Sequence, residues 1–169
     1  MQAPRDRKTP YETFTFYLLA FSTLLLDQFA KFGIVAALAL GQSHPLVDGF
    51  LHLTYVRNFG AAFSLFWGHT PFLSVVAGAI ALGVVAYQWR TKPSAPMVVC
   101  SLGLLLGGAL GNFVDRLAFG YVRDMVDLRW QGQNVWPIFN VADVAVLAGV
   151  GIMLLHAYRT SREEAHSAS

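Results

Sequence analysis

Hydrophobic and polar positions along this chain separate into whole segments rather than single alternating residues. Four apolar runs, at about 14–34, 71–89, 97–113 and 139–158, are divided by shorter polar-leaning stretches. A helical run of roughly 20 residues spans a hydrocarbon core about 30 Å thick, so the pattern predicts four transmembrane helices. The first run is interrupted once, by Asp27-Gln28-Phe29-Ala30-Lys31. Asp27 and Lys31 stand four residues apart, share a helical face and can neutralise each other. On a helix entering near Phe14, Asp27 lies about 20 Å along, in the outer half of the membrane. Ala37-Leu38-Ala39 imitates a signal-peptidase cleavage site, but a signal core is short and uncharged, so a retained helix is expected here.

The stretches between the runs have their own character. Residues 41–70 carry Gly41, Pro45 and Gly49 as punctuation, and Phe50-Leu51-His52-Leu53-Thr54-Tyr55-Val56 is rich in aromatic and β-branched residues. This predicts one or two strands, forming a small sheet at the membrane surface. Asn58-Phe59-Gly60-Ala61-Ala62-Phe63 follows, with small residues that admit another backbone, and Trp67 suits the headgroup layer. The connection 114–138 holds Asp115, Arg116, Arg123, Asp124, Asp127 and Arg129 with two tryptophans, and reads as interfacial. In the third run Gly103, Gly107 and Gly111 recur every four residues, a stripe suited to close helix packing in lipid.

Composition sharpens this picture. Of 169 residues, 55% are hydrophobic and 13% charged, about half the charged share of a soluble domain. One integral membrane domain over 1–169 is expected, all-α apart from a small β element. A net charge of +2 with scattered basic residues gives no reason to expect a nucleic-acid partner. Cys100 is the single cysteine and reads as a small core residue; His44, His52 and His69 show no ligand spacing, so neither a disulfide nor a metal is expected. Seven Lys and Arg residues fall in the tails and the 90–92 loop (Arg5, Arg7, Lys8, Arg90, Lys92, Arg159, Arg162), against four in the opposite loops (Arg57, Arg116, Arg123, Arg129). That bias predicts cytoplasmic termini and outward-facing 41–70 and 114–138 segments.

Four of the ten acidic residues lie between Gly107 and Asp143. On the predicted topology Asp27, Asp115, Asp124 and Asp143 all reach the outer part of the membrane or its rim, where carboxylates are costly and functional by default. A pair of carboxylates can hold a water, one accepting its proton while the other hydrogen-bonds a scissile carbonyl. Two such groups at short range share one proton. These residues also suit two other readings, a membrane protein whose aspartates merely pair with arginine or cap helices, and a proton-linked transporter. No Gly-x-Ser-x-Gly occurs, and no histidine lies close to Cys100 in sequence, so a serine or cysteine nucleophile is not expected.

Five blocks, in order, decide among these. Asp27-Gln28-Phe29-Ala30-Lys31, Asn58 to Phe63, Gly108 to Arg116, Val122-Arg123-Asp124 and Phe139 to Asp143 resemble those of the bacterial lipoprotein signal peptidases (signal peptidase II), over about 14–158. The resemblance implies four transmembrane helices, a small extracytoplasmic sheet and an interfacial helix. It implies an endopeptidase of the inner membrane, with two catalytic aspartates and no cofactor, that cleaves diacylglyceryl-modified prolipoproteins just before the lipidated cysteine. The catalytic positions match Asp124 and Asp143. Supporting and substrate-binding positions match Asp27, Lys31, Asn58, Gly60, Gly108, Asn112, Asp115, Arg116, Asn140 and Ala142. The implied partners are the prolipoprotein and membrane lipid, with the enzyme a monomer. Asp127, three residues from Asp124, is not favoured by the match as the second carboxylate. Two departures stand out: Ala30, where Ser or Thr is common, and Met125, where Phe is common.

Overall fold

The structure, a computed structural model, describes residues 10–60 and 65–167. Arg5, Arg7 and Lys8, and Ala61, Ala62 and Phe63 of the second block, lie outside the described residues. Four long helices form: α1 (Pro10–Ala37), α2 (Thr70–Thr91), α3 (Pro96–Phe119) and α4 (Val141–Ser167). All four are long and apolar enough to cross a membrane. Their outward faces are themselves apolar, with Phe14, Phe21, Leu82, Leu147 and Leu154 exposed, as expected of helices solvated by lipid.

Helix α3 is the centre, packed by α1, α2 and α4. Lipid tails are as apolar as leucine, so burying leucine drives little helix association, and close van der Waals packing must supply it. Gly107 lets α1 approach so closely that a Cβ there would stand 2.6 Å from the Ala20 carbonyl oxygen and 2.5 Å from Thr23 Cβ. Gly108, on the adjacent face, does the same for α4, where a Cβ would meet the Ala142 carbonyl oxygen at 2.5 Å. Phe16, Ala20, Val99, Leu102 and Leu106 fill the core between α1 and α3. Ser101 Oγ donates to the Gly149 carbonyl at 2.7 Å and ties α3 to α4. Cys100 is half-buried rather than a core residue.

Helix α3 runs past the predicted end of its apolar run at 113. It starts on Pro96, a residue pre-set for the first turn, and stops where Gly120 takes φ 76° and returns its N–H to the Arg116 carbonyl at 3.0 Å. Asp115 and Arg116 are therefore helical, not part of a surface connection.

The remaining chain forms one four-stranded antiparallel sheet, order β1-β2-β3-β4: β1 (Ser43–Val47), β2 (Leu51–Asn58), β3 (Val122–Trp130) and β4 (Gln133–Asn134). Gln131 and Gly132, both at positive φ, make the two-residue turn between β3 and β4. The central pairing joins the two separate loops, running from Leu51↔Leu128 to Asn58↔Val122, with an irregularity between Leu53 and Val56. Ile34, Tyr55 and Met125 dock the sheet onto the end of α1, and Ala30 packs against the same cluster. Both departures from the family pattern are thus apolar packing positions. Besides α1–α4, no helix forms among the described residues, so the interfacial helix is not seen there; Leu65–Gly68 is a turn and Trp67 packs edge-on against Phe59.

Candidate active site

Asp27, on α1, is fully buried and meets Lys31 Nζ at 2.8 Å. Lys31 in turn reaches Asp115 on α3 at 3.5 Å and donates to Asn112 Oδ1 at 3.0 Å. Arg123, at the start of β3, completes this network, with Nη2 at 2.7 Å from Asp115 Oδ1. Two carboxylates and two cations thus balance inside the protein, which is what makes their burial tolerable.

The N-terminus of α4 is built on this network. Asn140 precedes the first helical residue and accepts the Asp143 N–H at 3.0 Å, while Asp143 Oδ2 accepts the Asn140 N–H at 3.1 Å. This reciprocal pair is a capping box, and it fixes the Asp143 carboxylate in the first turn. The buried Ala142 N–H, a donor without an intrahelical acceptor, goes to Asp27 Oδ1 at 2.9 Å. Gly108 supplies the close approach that brings this first turn onto α3.

Strand β3 delivers the second carboxylate. The Phe139 carbonyl accepts the N–H groups of Met125 and Val126 at 3.0 and 2.8 Å, so the start of α4 is sewn to β3 beside Asp124. Asp124, 2% exposed, accepts from Asn140 Nδ2 at 2.6 Å and from Asn58 Nδ2 at 2.9 Å. Asn112 donates to Asp143 Oδ1 at 2.7 Å and accepts from Asn140 at 3.1 Å. Asn112 and Asn140 therefore join the two aspartates in one frame. Gly60 donates its N–H to Asn58 Oδ1 at 2.9 Å, and its carbonyl accepts from Arg116 Nη2 at 3.3 Å. Arg116 stands over the frame with its Nε–H unshared among the described residues.

Asp124 titrates unlike an ordinary carboxylic acid. Burial first, and the negative charge of Asp143 second, push it up to about 7. The amide hydrogen bonds from Asn58 and Asn140 and the charge on Lys31 pull the other way, more weakly. Asn58, Asn112, Arg116, Asp124 and Asp143 line one end of a cavity of about 930 Å³; the rest is apolar, including Leu73, Val76 and Ile80 from α2 and Val144 and Leu147 from α4.

Asp127 is engaged elsewhere. Its carboxylate takes Thr54 Oγ1 at 2.7 Å, Arg129 Nη2 at 2.6 Å and Asn134 Nδ2 at 2.9 Å, all on the sheet. The sequence reading missed three contributors: Gln28, whose amide meets Asp27 and Asp115; Arg123; and the Phe139 main chain. Gln28 and Arg123 sit inside the matched blocks, but only their spatial partners reveal what they do. Among the described residues no group of three or more His, Cys, Asp or Glu is placed to hold a metal.

Four helices able to span a membrane, a small antiparallel sheet, and two carboxylates in the lining of a mostly apolar cavity fit a multi-pass membrane protein. Two solved structures share this architecture, both bacterial membrane enzymes obtained by the in meso method. One, at 2.3 Å resolution, has a TM-score of 0.80 at 30% identity, over 87% of this chain and 89% of that one. The other, at 1.9 Å resolution, scores 0.75 at 31% identity, over 85% and 92%. Residues 19–159 match the family model of signal peptidase II. The lipoprotein signal peptidase of Moorella thermoacetica is 44% identical over 138 residues, 82% of this chain and 89% of that protein. That of Halothermothrix orenii is 36% identical, over 86% and 97%. This chain belongs to the signal peptidase II family, and so to the peptidases.

Proposed function

We propose that this protein is an aspartic endopeptidase that removes the signal peptide from diacylglyceryl-modified prolipoproteins just before the lipidated cysteine. The observation that carries the proposal is the Asp124–Asp143 pair, joined through Asn112 and Asn140 at the polar end of an apolar cavity. Its membrane-embedded substrate is itself an apolar helix bearing acyl chains. Helices α2 and α4 pack on α3 rather than on each other, and the cavity lies between them.

Each carboxyl has a distinct place in the reaction. Asp143, held by Asn112 and a main-chain N–H at the wall of the cavity, takes a proton from the attacking water. Asp124, whose proton is retained to about 7, hydrogen-bonds the scissile carbonyl oxygen as negative charge develops there. The water oxygen bonds to the carbonyl carbon; on collapse the C–N bond breaks and Asp143 returns its proton to the departing cysteine nitrogen. Arg116 offsets the charge of the tetrahedral intermediate. The partners are the prolipoprotein and the surrounding lipid, and one copy of the chain carries the whole site; no metal, cofactor or nucleic acid enters.

The decisive experiment incubates purified protein with a diacylglyceryl prolipoprotein and, in parallel, with the same precursor left unlipidated. Release of the signal peptide from the lipidated form alone is expected. Proton or solute flux in liposomes without any peptide product would replace the proposal with a transporter.

Asp124 predicts two pH effects. Cleavage should fall as pH rises through about 7, where its proton is lost, giving the upper limb of a bell-shaped profile that belongs to the pair. Its folded value lies above the ordinary 3.8, so the folded state binds a proton the unfolded chain has released. The stability contributed by this group is therefore complete below about 4 and is lost as pH rises to about 7. Melting temperatures across that window should decline in the wild type, and the decline should be smaller in Asp124→Asn.

The charge bias of the loops supports cytoplasmic termini, with the Asp124–Asp143 end of the cavity near the outer face of the inner membrane. Cysteines introduced at Asp48 and Gln131, in a Cys100→Ala background, should react with an impermeant thiol reagent from outside intact cells. Labelling only after the inner face is opened would reverse this topology.

A further inference from the structure

Arg123 takes no part in the chemistry above, yet it holds the main chain one residue before Asp124. We propose that Arg123 is a positioning residue for the Asp124–Asp143 pair, its guanidinium fastening β3 to α3 and α1 and so setting where Asp124 stands against Asp143. The inference rests on the catalytic reading of that pair.

The contacts around Arg123 are those of a clamp. Nε and Nη2 fork onto Asp115, at 3.1 Å to Oδ2 and 2.7 Å to Oδ1, and Nη2 also donates to Gln28 Oε1 at 2.9 Å. The guanidinium carbon lies 4.7 Å from the Phe32 ring centre and 4.6 Å from that of Phe119, one ring from α1 and one from α3. Asp115 Oδ2 also accepts the Arg123 main-chain N–H at 2.9 Å. The carboxylate on α3 thus grips both the side chain and the peptide that leads into Asp124.

The side-chain ties of Asp124 itself are weaker. Its own partners are the neutral amides of Asn58 and Asn140, whereas hydrogen bonds between ionised groups are about twice as strong as neutral ones. Pairing with β2 does not fix it alone, because the register shifts between Leu53 and Val56, and Val56 stands opposite Asp124. The clamp also leads to the other aspartate. Asp115 meets Lys31 at 3.5 Å, Lys31 donates to Asn112 at 3.0 Å, and Asn112 donates to Asp143 at 2.7 Å. One ion network therefore reaches both members of the pair, through β3 to Asp124 and through Asn112 to Asp143.

The test compares kcat and KM for lipidated prolipoprotein, per folded enzyme, in wild type, Arg123→Gln, Arg123→Lys and Asp124→Asn. Misplacing a reacting group by about 1 Å costs up to about 100-fold in rate, so Arg123→Gln should lower kcat roughly 10- to 100-fold with KM within about twofold. Lysine keeps the charge but loses the fork and the stacked plane, so Arg123→Lys should restore only part, leaving kcat roughly 3- to 10-fold down. A residue that merely stabilised the fold would lower folded yield and leave kcat per folded enzyme unchanged. Wild-type kcat in folded Arg123→Gln, or a loss confined to KM, overturns the inference. If Arg123→Gln does not accumulate, Arg123→Lys decides it, and an unchanged kcat there overturns it. An active Asp124→Asn would instead remove the catalytic reading itself, whatever the Arg123 variants do.

Discussion

Asp124→Asn and Asp143→Asn should each abolish prolipoprotein cleavage, with folded yield held near that of the wild type. Asparagine keeps the shape of the side chain and most of its hydrogen bonding, so the amide frame of Asn58, Asn112 and Asn140 persists around either variant. What is lost is the one shared proton. Without it, either the water has no base or the carbonyl oxygen has no acid that can yield a proton. Removing one member of a unit of this kind costs on the order of 10⁴-fold or more in rate. The double variant should be no worse than either single, because the two carboxyls act on one water. Asp127→Asn is the control: its carboxylate serves Thr54, Arg129 and Asn134 on the sheet, so the variant should keep most of its activity. A dead Asp127→Asn beside an active Asp143→Asn would mean that the wrong partner had been assigned. Peptide release measured per folded enzyme distinguishes these outcomes.

The second large effect concerns stability. Asp27→Ala should reduce detergent-stable folded yield more than the double variant Asp27→Ala with Lys31→Ala. Lys31 is fully buried, and without Asp27 the network holds two cations against the single carboxylate of Asp115. Removing one partner of a buried pair costs about 3–5 kcal/mol, whereas removing both leaves no uncompensated charge. Asp27→Ala also strips the acceptor from the Ala142 N–H and loosens the first turn of α4, where Asp143 sits. A double variant no better folded than the single would show that Asp27 matters chiefly to the substrate and not through this pair. Thermal melting in detergent, alongside yield, reads the difference.

The sequence was informative wherever chemistry is local. Apolar runs long enough for a bilayer specify helices because an unpaired backbone group in lipid costs too much for any other open structure. Asp27 and Lys31 pair across one turn, as their spacing requires, and Asn140 and Asp143 cap α4 because a capping box needs only three residues of separation. The aromatic and β-branched stretch before Asn58 became β2. The continuation of α3 to Phe119 was not legible. Its extension carries Asp115 and Arg116, and the cost of burying Asp115 is met by Lys31 and Arg123, residues distant in sequence from one another.

What the sequence by itself determined about this protein is therefore its four apolar helices, their local caps and pairs, and membership of a peptidase family through ordered blocks. Only the tertiary structure decided that β3 pairs with β2, Asn58 against Val122. It alone showed that Phe139 stitches β3 to α4, and that Arg123 grips Asp115 together with Lys31. The reason is physical. A strand's partner and a buried ion's counter-ion are chosen by which surfaces remain unsatisfied after the helices pack, and no local pattern records that.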